Sequence, residues 1–236
     1  MSKHTFQFKQ FGIQQDQCAM KVSLDACLFG AIIQVSNTQS VLDIGTGTGL
    51  LALMAAQRCN ASIDAIEIDT SAAQQALQNF ASSPFSSRLH SHHTSIQNYT
   101  TDQQYDCILC NPPFFTEHLQ GDNTQRNQAR HNDGLSFSEL TFHMARLLSE
   151  VGSAWVLLPP HEHKNFSVHA QQHGLNLQQH IAVFARENKP SKMGIWHYTK
   201  KPVSNIQHSS ITIYHTNSND YTPEFTNLLS DYYLKL

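Results

Sequence analysis

The chain has 236 residues, 40% of them hydrophobic and 9% aromatic, which is enough to fill a core and too apolar for a disordered chain. Lys and Arg number 15 against 18 Asp and Glu, a formal charge of −3 that excludes a broadly basic nucleic-acid binder but leaves room for a local basic patch. No run approaches the roughly 18 apolar residues of a membrane-spanning helix, and the opening Met1-Ser2-Lys3-His4-Thr5-Phe6 has no apolar signal core, so a cytoplasmic protein is expected.

In chain order, residues 1–20 are Gln-rich and carry no clear pattern. Apolar density predicts a helix over 24–35, then a turn at Ser36-Asn37-Thr38-Gln39. A strand over 40–44, a helix over 50–58, a strand over 62–68 and a helix over 71–81 follow. Pro84 and nearby Ser residues break that helix. Strands are expected over 88–94 and 105–110, then a long polar stretch over 111–135, read as a functional loop. An amphipathic helix (135–149), a strand (152–158) and a helix (161–173) stopped by Gly174 come next. Strands over 177–186 and 193–199 flank the hairpin signal Glu187-Asn188-Lys189-Pro190. A short strand (210–214) and a terminal helix (223–233) complete the chain. Alternating strands and helices followed by a hairpin predict an α/β doubly wound sheet with an antiparallel edge. Nothing divides the chain, so one domain over 1–236 is expected, with a cap segment at 1–35, a substrate loop at 111–135 and a helical C-terminal segment at 221–236.

The five Cys lack framework spacing and are expected as reduced thiols. Cys107-Ile108-Leu109-Cys110 has the CxxC spacing of a metal or redox pair but lies in an apolar strand, so packing is the expected role. The His residues are scattered, and no metal site is expected. His92 and His93, adjacent on a strand, should face opposite sides; His161-x-His163 reads as a solvated turn.

Val41-Leu42-Asp43-Ile44-Gly45-Thr46-Gly47-Thr48-Gly49 joins the first strand of the alternation to its helix. Glycines allow a tight turn and close approach to a ligand, and the helix start offers free N–H groups. A dinucleotide fingerprint is GxGxxG; here GxGxG follows a carboxylate two residues ahead. That carboxylate suits a cation better than a pyrophosphate, and the methionine end of S-adenosylmethionine (SAM) carries an ammonium and a sulfonium. Glu67, at the end of the next strand, is placed to accept hydrogen bonds from ribose hydroxyls. Asp69, ahead of Thr70-Ser71, is the better helix cap.

Asn111-Pro112-Pro113-Phe114 directly follows the strand over 105–110, whose neighbour in such a sheet is the strand of the glycine turn. Two prolines remove two N–H donors, leaving the Asn111 side-chain oxygen and the Pro112 carbonyl as converging acceptors. An exocyclic NH₂ offers two donors, and Phe114 offers a face for a planar group. The expected chemistry is methylation of a planar amino or amide nitrogen without a general base, by positioning alone.

Together Asp43–Gly49, Glu67 and Asn111–Phe114 resemble the class I SAM-dependent methyltransferases that act on amino groups. Nearly the whole chain resembles the bacterial tRNA(Val) adenine-N6 methyltransferase family. The further features are the Phe6–Phe11 opening, Met20–Asp25 leading into Leu28-Phe29-Gly30-Ala31, Ala129-Arg130-His131, and the ending from Tyr221 to Leu234. The resemblance implies a seven-stranded Rossmann-like sheet with its last strand antiparallel, and methylation of N6 of the adenosine 3′ of the anticodon. It implies that Asp43, Gly45 and Gly47 line the methionine end of SAM, with Glu67 at its ribose. Val22, Ser23 and Asp25 would close that pocket, which Asn111 would also line, and Asn111 and Pro112 would hold the target N6 over Phe114. Ser95 stands where the family usually has an Asp at the adenine amino group, and Lys192 stands near the place of an Arg after Lys189-Pro190; Lys lacks the Arg fork. Candidate tRNA contacts are Arg126, Arg130, His131, Lys189 and Lys192, with Lys200 and Lys201 grouped near the hairpin. No obligate protein partner is evident. The rival acceptors are a protein glutamine amide and a ribosomal guanine N2. Rivals of another class are an NAD oxidoreductase, which lacks its fingerprint and proton donor here, and a non-catalytic SAM-binding protein.

Overall fold

The computed structural model describes residues 5–18, 20–112 and 135–236. The chain begins with the strands β1 (Thr5–Gln7) and β2 (Gly12–Gln14) and the helix α1 (Leu24–Ile32). The alternating part follows as β3 (Ser40–Ile44), α2 (Leu50–Arg58), β4 (Ser62–Glu67), α3 (Thr70–Ala81), β5 (Leu89–His93) and β6 (Tyr105–Cys110). After it come α4 (Phe137–Leu147), β7 (Leu148–Leu158), α5 (Pro160–Gln172), β8 (Asn176–Phe184), β9 (Met193–Thr199), β10 (Gln207–Thr212) and α6 (Pro223–Leu229).

Among the described residues, eight strands form one sheet in the order β10-β8-β9-β7-β6-β3-β4-β5. Within it β9 is antiparallel to β7 and β8, and the other pairs are parallel. The expected hairpin is present, but it lies one strand in from the edge, because β10 pairs parallel to β8. The sheet therefore has eight strands where seven were expected.

Period-2 alternation sorts side chains to two cores. Val41, Cys107, Leu109, Trp155 and Leu157 pack with α1, α2 and α6 on one face; Leu42, Ile108, Cys110, Val156 and Leu158 pack with α4 and α5 on the other. Cys107 and Cys110 thus belong to opposite faces, and the two extended residues between them keep their thiols from converging. Burial pushes the Cys107 thiol up to about 12 and the Cys110 thiol higher still, as inert packing groups.

The helices start where capping chemistry allows. Ser23 caps α1 and Asp69 caps α3, each accepting the N–H three residues on. Ser136 and Glu139 form a reciprocal box at α4, whose buried Phe137, Leu140, Met144 and Leu147 recur at three or four residues. Two ends differ from expectation. The chain passes from α4 straight into β7 at Leu148 with no intervening turn. At the C-terminus α6 stops at Leu229, because Tyr232 and Tyr233 leave the helix to pack inward: the Tyr232 hydroxyl donates to the Met54 carbonyl at 3.0 Å, and Tyr233 bridges to Phe8. That bridge joins the aromatic cluster Phe6, Phe8, Phe11 and Tyr233, which holds the β1–β2 hairpin in place.

Candidate active site

The parallel strands β3, β4 and β6 end side by side at one edge of the sheet. From β3 the chain turns through Gly45 (φ 71°), Gly47 (φ 57°) and Gly49 (φ 84°), all in the region that L side chains rarely adopt. A Cβ on Gly49 would lie 2.4 Å from the Phe80 ring, whereas one on Gly45 would meet nothing within 4 Å. Gly49 therefore serves packing, and Gly45 leaves its side of the turn open. The N–H groups of Gly45 and Thr46 both donate to the Ile66 carbonyl, at 2.9 and 3.0 Å, which pins the turn to β4.

Asp43 is fully buried beneath this turn. Its Oδ2 accepts from the Thr46 hydroxyl at 2.6 Å and the Ala52 N–H at 3.2 Å. Its Oδ1 is buried and has no hydrogen-bond partner among the described residues. Burial pushes the carboxyl up to about 7 against the pull of those two donors. A carboxylate that is costly to ionise and has one oxygen unused fits a cationic group.

Glu67 ends β4 with one oxygen accepting from Gly47 N–H and the other from Asp69 N–H, both at 2.9 Å. Each oxygen keeps a further lone pair. Ile68 follows at 67% exposure, an apolar surface beside the acid that sequence reasoning passed over. The Ser95 hydroxyl oxygen accepts from Asn98 N–H at 3.3 Å in the turn after β5, the strand next to β4.

Asn111 and Pro112 come directly after β6. In the β3–β6 register Ile44 pairs with Cys110, so Gly45 and Asn111 are the next residues on adjacent strands. The Asn111 Oδ1 is buried without a hydrogen-bond partner among the described residues. Two unpartnered buried oxygens, on Asp43 and Asn111, thus belong to neighbouring strand ends. Phe114, Arg126, Arg130 and His131 lie outside the described residues.

The N-terminal candidates belong to the approach to α1. Val22 N–H donates to the Gln15 side chain at 2.8 Å, Ser23 caps the helix, and Asp25 is in its first turn with its carboxyl raised by burial. Lys189 and Lys192 are exposed on the β8–β9 hairpin, at the same edge as the glycine turn. Arg186 is engaged instead, donating to the His215 and Ser218 carbonyls and the Asn219 side chain.

Two expectations are corrected. Lys200 and Lys201 are not near the hairpin: they follow β9 at the opposite edge, where Lys200 pairs with Glu150 at 2.9 Å. The reversal of β9 puts its two ends at opposite edges. His163 is not in a solvated turn; it is buried, stacked 3.4 Å from the Trp196 ring and hydrogen-bonded to the Tyr198 hydroxyl at 2.6 Å. Its neighbour His161 is the solvated one. His92 and His93 do part company: His92 bonds Asp64 at 2.6 Å, and His93 lies 3.2 Å from the Thr70 hydroxyl.

The family model "Methyltransferase small domain" matches residues 20–131, from the approach to α1 through the glycine turn and Glu67 to the Asn111 tetrapeptide. Over its whole length the chain is 43% identical to a tRNA1(Val) (adenine(37)-N6)-methyltransferase of Cytophaga hutchinsonii, all of which it covers. The chain belongs to this family. A member from Pseudoalteromonas translucida is also 43% identical, over 98% of this chain and 99% of that relative. In fold the chain is similar to a "predicted O-methyltransferase" of Agrobacterium tumefaciens (TM-score 0.71, 14% identity, covering 88% of this chain and 96% of that one). It is also similar to a ribosomal protein L11 methylase of Lactobacillus delbrueckii (TM-score 0.54, 16% identity, 75% and 77% covered). The fold is thus that of the class I methyltransferases, and family membership extends past the matched model to the hairpin that carries Lys189 and Lys192.

Proposed function

We propose that this chain methylates N6 of adenine 37 in tRNA1(Val), with SAM as methyl donor. The observation that carries the reading is a pair of buried oxygens without hydrogen-bond partners among the described residues, Asp43 Oδ1 and Asn111 Oδ1, on adjacent strand ends. Family membership over the full length supports the substrate. When bound, SAM supplies a methyl group already activated on a sulfonium, so the chain need not activate the donor.

The residues bind and orient. Asp43 offers its free oxygen to the ammonium, and the open side of Gly45 leaves room for the amino-acid end. Glu67 accepts from ribose hydroxyls while still tying Gly47, Ile68 gives the adenine an apolar face, and the Ser95 hydroxyl faces its amino group. The segment 1–35 caps this end, with Val22, Ser23 and Asp25 nearest. On the acceptor side, Asn111 Oδ1 and the Pro112 carbonyl take the two N6 hydrogens, which aims the nitrogen lone pair at the donor. Phe114 stacks under the base, which leaves a single-stranded loop at lower cost than a duplex. Arg126, Arg130, His131, Lys189 and Lys192 contact tRNA phosphates. No described helix is long and apolar enough to cross a membrane, and no described His, Cys, Asp and Glu group could hold a metal ion; we place the enzyme in the cytoplasm with its tRNA.

The test is mass analysis of nucleosides from tRNA incubated with protein and SAM. New N6-methyladenosine at position 37 is expected, and Asn111→Ala should abolish it while SAM still binds within a few-fold. Undiminished methylation by that variant overturns the reading.

A further inference from the structure

We infer that Asn79 and Gln75 of α3 are positioning residues that latch the segment 14–17 to the glycine turn and so shape the SAM end of the site. This rests on the function proposed above.

Both side chains are buried, at 2% and 0% exposure, inside the apolar stripe of α3 that includes Ala72, Ala76 and Phe80. A buried amide is retained at a cost unless its donors and acceptors are met. Here they are met by the N-terminal segment and the turn. Asn79 Oδ1 accepts from Gln14 N–H at 2.9 Å, and its Nδ2 donates to the Gln14 carbonyl at 3.0 Å and the Thr48 carbonyl at 2.9 Å. One side chain thereby ties both backbone groups of Gln14 to the turn between Gly47 and Gly49. One helical turn earlier, Gln75 Oε1 accepts from Gln17 N–H at 3.2 Å, and its Nε2 donates to Asp16 Oδ1 at 2.7 Å. The chain then reaches Cys18, whose Sγ is 3.7 Å from where a Cβ on Gly47 would sit. Gln15 in turn accepts from Val22 N–H. The two amides thus fix where the cap segment crosses the glycine turn, and among the described residues neither is hydrogen-bonded to Asp43, Glu67 or Asn111.

The chemistry distinguishes an amide from a carboxylate. Gln75→Glu keeps the acceptor for Gln17 N–H but sets a carboxylate against Asp16. Adding Asp16→Asn restores a donor–acceptor pair with the roles exchanged. Wild type, Asn79→Ala, Gln75→Glu and Gln75→Glu/Asp16→Asn should be compared by SAM calorimetry, by KM for SAM and for tRNA, and by amide exchange over residues 14–17. Asn79→Ala and Gln75→Glu should raise the Kd and KM for SAM about tenfold, the scale of one lost buried partner. The KM for tRNA and kcat at saturating SAM should stay within about threefold, with faster exchange at Gln14 and Gln17. The double variant should recover most of the SAM affinity. Unchanged SAM affinity in folded variants, equal rises in both KM values, or a double variant no better than Gln75→Glu overturns the latch. Should Asn79→Ala fail to fold, the Gln75 pair decides. A wild-type chain that binds no SAM overturns the proposed function instead.

Discussion

At the scale of single residues, Asp43 carries a conflict that a ligand would resolve. Burial holds its carboxyl up to about 7, far above its ordinary 3.8, and one of its oxygens has no hydrogen-bond partner among the described residues. Between those two values the folded chain holds a proton that the unfolded chain has released, so this group's contribution to stability is lost as pH rises toward 7. Asp43→Asn removes that cost and keeps an acceptor for Ala52 N–H. The ligand-free variant should melt several degrees higher at pH 7.5 in calorimetry, yet bind SAM at least about a hundredfold more weakly, a trade between stability and function. For the same reason, wild-type affinity for SAM should rise as pH increases from 5.5 to 7 and level off above, as titration calorimetry across that range would show. The glycines divide likewise. Alanine at Gly45 meets only the backbone penalty of φ 71°, roughly 1–2 kcal/mol. Alanine at Gly49 meets that penalty and the Phe80 ring as well. Denaturant unfolding should therefore rank Gly49→Ala clearly below Gly45→Ala in stability, while Gly45→Ala shows the loss of SAM binding.

At the scale of elements, periodicity made β3 to β6 and their helices readable, because each strand's apolar run and each helix's stripe are local. The glycine turn was readable because its backbone demand, three glycines at positive φ, is also local; of the tetrapeptide, Asn111 and Pro112 follow β6 as expected. Elements whose reason is distant were not. The three-residue strand β1, which pairs with β2, is held by contacts of Phe6 and the following Phe8 with Tyr233, at the other end of the chain. The Gln75 and Asn79 amides left only a faint mark, two polar residues four apart within an apolar stripe. His163 looked solvated because its partners Trp196 and Tyr198 come from β9, more than 30 residues on. Its environment has a measurable consequence. Trp196 is sandwiched between His163 at 3.4 Å and His180 at 3.8 Å, and His208 meets His180 edge-on. Burial, then the His180 charge, drives His163 down to about 4, and burial takes His197, stacked on Trp155, to about 4 as well. Both are proton-poor when folded, so the stability they contribute is present above 6.5 and lost as pH falls toward 4. Two such histidines outweigh the opposite trend of the single Asp43, so chemical unfolding at pH 7, 6 and 5 should show declining stability, with Trp fluorescence changing in the same transition. His163→Gln should flatten that decline by about one proton's worth of slope.

At the scale of the whole molecule, the proposed function asks a chain with a formal charge of −3 to bring a polyanion to the sheet edge that carries Asn111. Overall charge cannot do this, so the placement of cations must. Lys189 and Lys192 are exposed on the hairpin at the edge where the glycine turn and Asn111 end their strands, while Lys200, at the far edge, is spent on Glu150. Phosphate contacts release counterions, so the logarithm of the tRNA affinity should fall linearly with the logarithm of salt concentration. If the two hairpin lysines each neutralise one phosphate, Lys189→Ala/Lys192→Ala should reduce that slope by about 1.5 to 2. Weakening should be greatest at low salt and similar across tRNA sequences, because a lysine at a phosphate reads no base. SAM affinity should not move, since neither side chain belongs to the cleft of Asp43 and Glu67. Lys200→Ala is the matched control and should leave the slope unchanged. An equal slope in the hairpin variant and wild type would place the tRNA on a different surface.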